Sequence, residues 1–598
     1  RYNHLVKNEV KSLHRDAIIT EQEELSKYEG VSILIFDQTC AAEKRRRRKR
    51  GLMEDPKKRV VINKDVCEGC GDCSVQSNCV SIEPLETELG RKRKINQSNC
   101  NKDYSCIKGF CPSFVTVDAE IKNNTGFKDL GELPEPQFKT NQDINNIMLT
   151  GIGGTGVLTI SAILAYAAHY EGKDASVLDM TGLAQKGGAV WSHIKIFEKN
   201  NKPYSQKIAP GAANVLLACD GVVGTKPEIQ EVISKEKTIA VLNSNTIPVA
   251  DFITQRDIDF KNNDVFQMLE NTTNTIISSV PAINISEKLS GDAIGTNMLM
   301  LGSAYQNGLI PLKAENIFKA IELNGIGIER NIYNFNLGRL YTINPNHEIF
   351  SFLAENQVLN LNSIELFEDR LKRIENYDQR VVDDFIKDKN TIDQILSEEA
   401  DTENITKEAI KELYRVYAIK DEYEVARMHL ESTSKILDNT FTAWNNLKFY
   451  LSPPIISFIK DKRTQRPIKI AIPGYIALPI FKILKSMKFL RGTIFDPLNL
   501  TEDRRRDKEH KAIFRNKLGE ISNLITGVKS NKLLELIEAS KEVKGYGPVR
   551  AESYEIFKSR INFTSKKGLR VLSNIFRFKT RNNIQAKKHK AQKENRAE

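Results

Sequence analysis

One stretch of this 598-residue chain constrains the rest: CEGCGDCSVQSNCVSIEPLETELGRKRKINQSNCNKDYSCIKGFCP, Cys67 to Pro112, which holds seven of the nine cysteines. Cys67, Cys70 and Cys73 stand in C-x2-C-x2-C spacing, which lets three thiolates wrap one face of an iron–sulfur cubane while the amides between them reach its sulfides. In two-cluster arrangements the fourth cysteine of a run, followed by proline, ligates the other cluster, and Cys111-Pro112 supplies such a crossing ligand. The expected ligands of one 4Fe–4S cluster are therefore Cys67, Cys70, Cys73 and Cys111. Cys79, Cys100 and Cys106 are left for a second cluster, one ligand short. A three-iron cluster, a ligand from Asp72, Asp103 or Cys40, or no second cluster would each account for the shortfall.

Zinc sites usually pair two distant knuckles or use histidine, and no histidine lies between His14 and His169. Disulfides are disfavoured because cysteines two residues apart do not bridge readily. The remainder of the chain is cysteine-poor, as cytosolic proteins are, and a cytoplasmic location is expected.

Hydrophobic content of 40% with 28% charge is ordinary for folded domains, and the length allows several. No apolar run is long enough for a membrane-spanning helix. The first residues show neither a signal-peptide core nor an initiating methionine, so the chain is expected to be a fragment. The net charge of +11 is concentrated in Lys44–Arg50 and in the tail from Lys566 to Lys593. Such runs read first as solvated faces or flexible arms and only second as nucleic-acid patches; an Fe–S protein passing electrons to an acidic carrier would also use a basic surface for steering.

The fold class expected is α/β plus α. Residues 1–56 contain an apolar run, Val31–Asp37, read as a buried parallel strand, then a basic helix from Ala41 to Arg50; together they resemble the trailing edge of a larger α/β domain. Residues 57–118 are the cluster domain, between strands at Arg59–Ile62 and Phe114–Val117. A polar linker covers 119–145. A doubly wound α/β domain spans 146–345, beginning with a strand, a glycine turn at Gly151, Gly153, Gly154 and Gly156, and a helix ended by Gly172. A second strand, Ala175–Leu178, leads to Asp179, placed like the ribose ligand of a dinucleotide site. The glycines either contact a phosphate or cofactor, or simply permit close helix–sheet packing. Further strands are expected at Asn214–Ala218 and Thr238–Asn243. Cys219 reads as a core residue, and Lys186-Gly187-Gly188 as a loop where ligands gather. Gly291-Asp292-Ala293 lacks the last glycine of a GDG…N thiamine diphosphate signature and is rejected as such a site. Residues 346–565 read as mainly helical, with helices at Asn362–Tyr377, Thr391–Glu399 and Ile405–Arg415. His429 and Trp444 read as packing or surface residues there rather than as chemistry. LSPPII (Leu451–Ile456), LRGTIFDPLNLTEDRRR (Leu490–Arg506) and KGYGPVR (Lys544–Arg550) receive no role from spacing. Residues 566–598 read as a disordered basic tail.

Together QTCAAEKRRRRKRG, the cysteine pattern with EPLETELGRKRKI, MTGLAQKGGAV (Met180–Val190), LSPPI and RGTIFDP closely resemble the long, fused bacterial indolepyruvate ferredoxin oxidoreductases, over essentially the whole chain. The resemblance implies a ferredoxin-like Fe–S domain, a gamma domain holding the glycine turn at Gly151, Gly153, Gly154 and Gly156, and a helical C-terminal domain. It implies oxidative decarboxylation of aryl 2-oxoacids with thiamine diphosphate and magnesium, coenzyme A taking the acyl group as an arylacetyl thioester and ferredoxin the electrons. A homo-oligomer is expected. That family places its thiamine-binding parts before the cluster domain, so those domains are expected as partners in cis or in trans, and no catalytic residue is assigned in this chain. Two other readings are an NAD(P)-linked Fe–S reductase using GIGGTG, and an Fe–S protein gripping nucleic acid through KRRRRKR. On the leading reading, the chain alone releases no carbon dioxide from indolepyruvate and added thiamine diphosphate in a single-turnover assay; release would contradict it.

Overall fold

The computed structural model describes residues 10–121, 127–139, 143–182, 188–245, 262–355, 361–397, 402–453, 458–461, 466–499, 501–525 and 527–562. The basic tail, most of the Gly182–Gly188 loop and part of LSPPII lie outside the described residues. The chain divides into two compact units, one made of Arg1–Pro56 with Cys100–Asp103, the other of Lys57–Asn99 with Tyr104–Glu598.

The first unit has helices at Ile18–Leu25 and Ala41–Lys49. In the second of these Glu43 pairs with Arg46 and Arg47 one turn on. Lys102 reaches Asp55, and Arg48 donates to the carbonyl of Asn101 at 2.8 Å. The buried strand expected at Val31–Asp37 is not there: that run is irregular, and Val31, Ile33 and Ile35 are exposed. A strand holds its shape through a neighbouring ladder, and among the described residues none pairs with it.

In the second unit the cysteine-rich segment contains β1 (Lys58–Ile62), β2 (Ile82–Leu85), β3 (Lys92–Ile95) and β4 (Phe114–Ile121). β2 and β3 form an antiparallel ribbon, and β1 pairs antiparallel with β4. The α/β module follows with β5 (Ile144–Ile152), β6 (Asp174–Thr181), β7 (Ala189–Phe197), β8 (Val215–Ala218), β9 (Ile239–Asn243) and β10 (Thr275–Val280), in the spatial order β10-β9-β8-β5-β7-β6. β10, β9, β8 and β5 run parallel, whereas β7 is antiparallel to both β5 and β6. The sheet is mixed, with mostly parallel strands. β7 escaped the sequence reading because a buried strand is expected to be apolar, and this one carries Ser192, His193 and Lys195 inside. Each polar group is satisfied: Ser192 donates to Asp179, His193 Nδ1 accepts from the Ile208 amide at 3.3 Å, and Lys195 donates to the Ser205 carbonyl at 2.7 Å.

The segment expected as a linker is partly built into the protein. β4 runs on to Ile121, and Leu130 and Leu133 pack on the core of the α/β module. Arg339 holds the stretch by donating to the Pro134 carbonyl at 3.0 Å and pairing with Glu135 at 3.1 Å.

The C-terminal region is helical from Ser363 to Tyr377, Val382 to Leu396, Glu403 to Tyr417 and Glu422 to Thr440. Asn362 and Glu365 close the first of these with a reciprocal capping box. The expected helix at Thr391–Glu399 is the end of the one beginning at Val382. Trp444, read within a helical stretch, lies instead on β11 (Phe441–Leu451), which pairs with β4 and with β12 (Ile470–Pro473) in a sheet ordered β1-β4-β11-β12. Two register shifts, with Asn446 at φ 56°, break the alternation that would have revealed β11 in the sequence.

Phe449 of β11 is fully buried, its ring 5.0 Å from those of His429 and Phe481. The carbonyl of Pro112 only accepts, so His429 Nε2 carries the proton and donates to it at 3.0 Å, while Nδ1 takes the Thr433 hydroxyl at 3.0 Å. Phe449→Ala is expected to cost about 3–5 kcal/mol, read as a lowered denaturation midpoint. Burial pulls His429 down to about 4 and His510 well below its ordinary value. Because the unfolded chain binds these protons more readily, stability falls as pH drops from about 6.5 towards 4, by about 3 kcal/mol from His429. Denaturation midpoints that stay level from pH 7 to pH 4.5 would contradict this.

Candidate cluster site

The chain leaves β1 and turns at Asn63, whose side-chain oxygen accepts from the amides of Asp65 (3.0 Å) and Val66 (3.4 Å). Cys67 follows, and the Gly69 amide donates to its sulfur at 3.3 Å. Cys73 begins the buried side of a short helix, Asp72–Ser77. The second cysteine segment, with a 3-10 turn at Ser105–Lys108, packs back on that helix through Gly109, where a Cβ would stand 2.9 Å from the Cys73 Cα. Any larger residue at 109 would collide with the Cys73 backbone. The Phe110 amide, donating to Asp72 at 2.7 Å, locks the crossing. Cys67, Cys73, Cys106 and Cys111 are thereby buried in one nucleus with Val60, Ile62, Ile82 and Phe114, and Cys79 packs at its margin.

Burial, reinforced by Cys67, pushes the thiols of Cys73 and Cys111 up to about 12. Burial, followed by Cys111, Cys73 and Cys67, pushes Cys70 well above its ordinary value. Cys67, Cys70, Cys73 and Cys111 thus lie close enough that a charge on one opposes a charge on another. Iron binding demands thiolates, and its positive charge is what this pocket needs before its sulfurs ionise together. Among the described residues no three ligand side chains converge tightly enough to hold a single metal ion. The thiolates of a cubane sit on separate irons and are spaced more widely than those around one ion, and cysteine sulfur is the donor type a cluster takes.

The other candidate ligands have partners of their own. Asp72, considered as a substitute ligand, is occupied: besides Phe110 it holds Arg466 at 2.9 and 3.0 Å. Cys40, Cys100 and Asp103 belong to the first unit, where the Cys100 sulfur accepts from the Lys102 amide at 3.4 Å.

Sequence reasoning missed the cations that the C-terminal region brings to the cradle. Lys420 donates to the Cys67 carbonyl at 2.9 Å and pairs with Glu68 at 3.0 Å. Burial alone would raise Glu68, but Lys420, Lys92 and Arg550 outweigh it and hold the carboxyl at about 2. Lys469 donates to the carbonyls of Ile107 and Gly109. Burial lowers its ammonium to about 8, against the pull of Cys111 and Asp72. Lysines distant in sequence carry no spacing signal and could not have been found that way.

The glycine turn of the α/β module is a different case. At Gly151 a Cβ would meet Val157 Cγ2 at 2.6 Å, so this glycine lets the following helix start against the strand. The Gly153 amide donates to the Gly188 carbonyl at 2.8 Å, and Gly154 and Gly156 take φ of 88° and 98°. Asn297 holds the turn through the Thr155 carbonyl at 3.1 Å. Asp179 accepts from Ser161 at 3.0 Å and from Ser192, and β7 separates β5 from β6. A dinucleotide fold needs those two strands adjacent and that carboxylate open. Asp292 is likewise occupied, capping the turn at Ile294. Cys219 is a core residue.

Residues 146–341 match the family described as pyruvate ferredoxin/flavodoxin oxidoreductase, and residues 365–562 match a family of unknown function (DUF6537). The indolepyruvate oxidoreductase subunit IorB of Archaeoglobus fulgidus is 28% identical over 177 residues, 29% of this chain and 83% of that protein. Its counterpart from Pyrococcus horikoshii is 25% identical over 197 residues, 32% of this chain and 93% of that protein. The crystal structure of pyruvate oxidoreductase subunit PORC from Thermotoga maritima is 19% identical, covering 33% of this chain and 96% of that one with a TM-score of 0.23. Over about a third of its length, then, this chain matches the pyruvate ferredoxin/flavodoxin oxidoreductase family and is similar to the indolepyruvate oxidoreductase IorB subunits.

Proposed function

We propose that this chain is the gamma and electron-wiring portion of an aryl 2-oxoacid:ferredoxin oxidoreductase of the indolepyruvate type, with one 4Fe–4S cluster on Cys67, Cys70, Cys73 and Cys111. The observation that carries the reading is the convergence of those four thiols in a buried pocket, in the same chain as an oxidoreductase gamma domain. When bound, the cluster supplies one-electron transfer. The chain's own residues bind it through sulfur, steady the Cys67 sulfur with the Gly69 amide, and hold the crossing segment through Asp72 and Gly109.

Thiamine diphosphate, magnesium and coenzyme A belong to the complete enzyme on this reading, with ferredoxin as acceptor. Residues 1–56 are the trailing edge of its thiamine-binding part, a role that the exposed Val31–Asp37 run supports. The glycine turn shapes the gamma domain, since its closest approaches are to the protein's own backbone and to Val157.

Anaerobic preparation with iron and sulfide counting and low-temperature EPR tests the assignment. About four irons per chain are expected, with Cys111→Ser or Cys67→Ser removing most of them. A count of about seven or eight would bring further ligands into use, Cys79 and Cys106 first. Colourless, redox-silent protein would end the reading.

A further inference from the structure

The helical C-terminal region matches a family to which no function is attached, and of two of its sequence segments, RGTIFDP and KGYGPVR, only Arg550 has entered the site as described so far. Both lead to the cysteines. Arg491 of the first holds buried Asp421 at 2.6 Å, joined from the other side by Arg504 at 2.6 Å. The neighbouring residue, Lys420, is thereby held against the Cys67 carbonyl. In KGYGPVR the Tyr546 hydroxyl donates to the Val66 carbonyl at 2.5 Å. Gly545, at φ 94°, passes so near that a Cβ there would stand 3.3 Å from the Cys70 Cβ and 2.7 Å from Val549 Cγ1. Lys469, just before β12, covers the other side: its ammonium binds the two carbonyls between Cys106 and Cys111 and lies 5.2 Å from the centre of the Phe114 ring.

The potential of an iron–sulfur cluster is set by its type, the charge around it, hydrogen bonds to its sulfurs and its exposure to water. The C-terminal region controls the second and the last of these. We propose that this domain of unknown function is the housing of the cluster: Lys469 fixes a positive charge against its Cys73–Cys111 side, and the Gly545–Tyr546 turn seals its Cys70 side from water. The proposal rests on the cluster assignment made above. A fixed cation favours the reduced, more negative cluster, so removing it makes reduction harder, and opening the seal lets chelators and oxidants in.

The test uses the full chain, prepared anaerobically, with Lys469→Gln, Lys469→Arg and Gly545→Ala. Iron and sulfide are counted, midpoint potentials are taken from EPR-monitored redox titration, and bleaching of the visible absorption by a ferrous chelator is timed. Lys469→Gln is expected to keep its iron and to shift the reduction equilibrium about tenfold towards the oxidised form, about 59 mV downward for one electron, with Lys469→Arg restoring the wild-type value. Gly545→Ala is expected to bleach several-fold faster. A wild-type potential in fully loaded Lys469→Gln overturns the charge role, and iron loss in both Lys469 variants makes the residue a packing element and overturns it equally. Unchanged bleaching of Gly545→Ala overturns the seal. Wild-type chain that holds no iron defeats the cluster assignment itself, a result distinct from any of these.

Discussion

The antiparallel pairing of β4 with β11 is the contact on which the arrangement around the cysteines depends. A segment of some sixty residues buries too little hydrocarbon to stand by itself, and here its strand pair β1–β4 is extended by a strand more than three hundred residues downstream in the chain. Val115 and Val117 of β4 then share a core with Phe441, Phe449 and Phe481. The same pairing delivers Lys469, at the entrance to β12, to the carbonyls beside Cys111.

A second layer of support is electrostatic. Asp421, one per cent exposed on its side chain, accepts from two arginines and caps the helix Glu422–Thr440 through the Glu424 amide at 2.8 Å. Burial alone would raise its carboxyl, but Arg504 and Arg491 reverse that and hold it below the ordinary value. Such a network adds little to net stability compared with an apolar substitute, yet removing one member strands the others. Its effect is geometric: it fixes where the helix begins and hence where Lys420 meets the first cysteine. The Asn63 side chain adds a further tie, donating to Ser432 at 2.9 Å and Thr433 at 3.0 Å on that helix.

The α/β module meets the cysteine-rich segment through a polar contact, Asn96 donating to Glu83 at 2.8 Å and to Glu287 at 2.7 Å. Burial raises Glu287 to about 7, opposed by Lys94. The module's own order comes from apolar packing: β5 is buried along nearly its whole length, and the helix Val157–Tyr170 covers it with Ile160, Ile163, Leu164 and Ala167.

What the sequence determined by itself was local. The spacing of Cys67, Cys70 and Cys73, the crossing Cys111-Pro112, the strand–glycine–helix passage at Ile144–Tyr170 and the Asn362 cap are set by residues a few positions apart, where side-chain type and short-range geometry decide the outcome. Tertiary structure decided everything that joins distant segments: β7 with its satisfied polar interior, the bulged strand β11, the irregular Val31–Asp37 run, the commitment of Asp72 and Asp179 to partners, and the lysines gathered over the cysteines. Those outcomes turn on which backbone ladder or buried charge finds a counterpart across space, and spacing along a chain does not encode that.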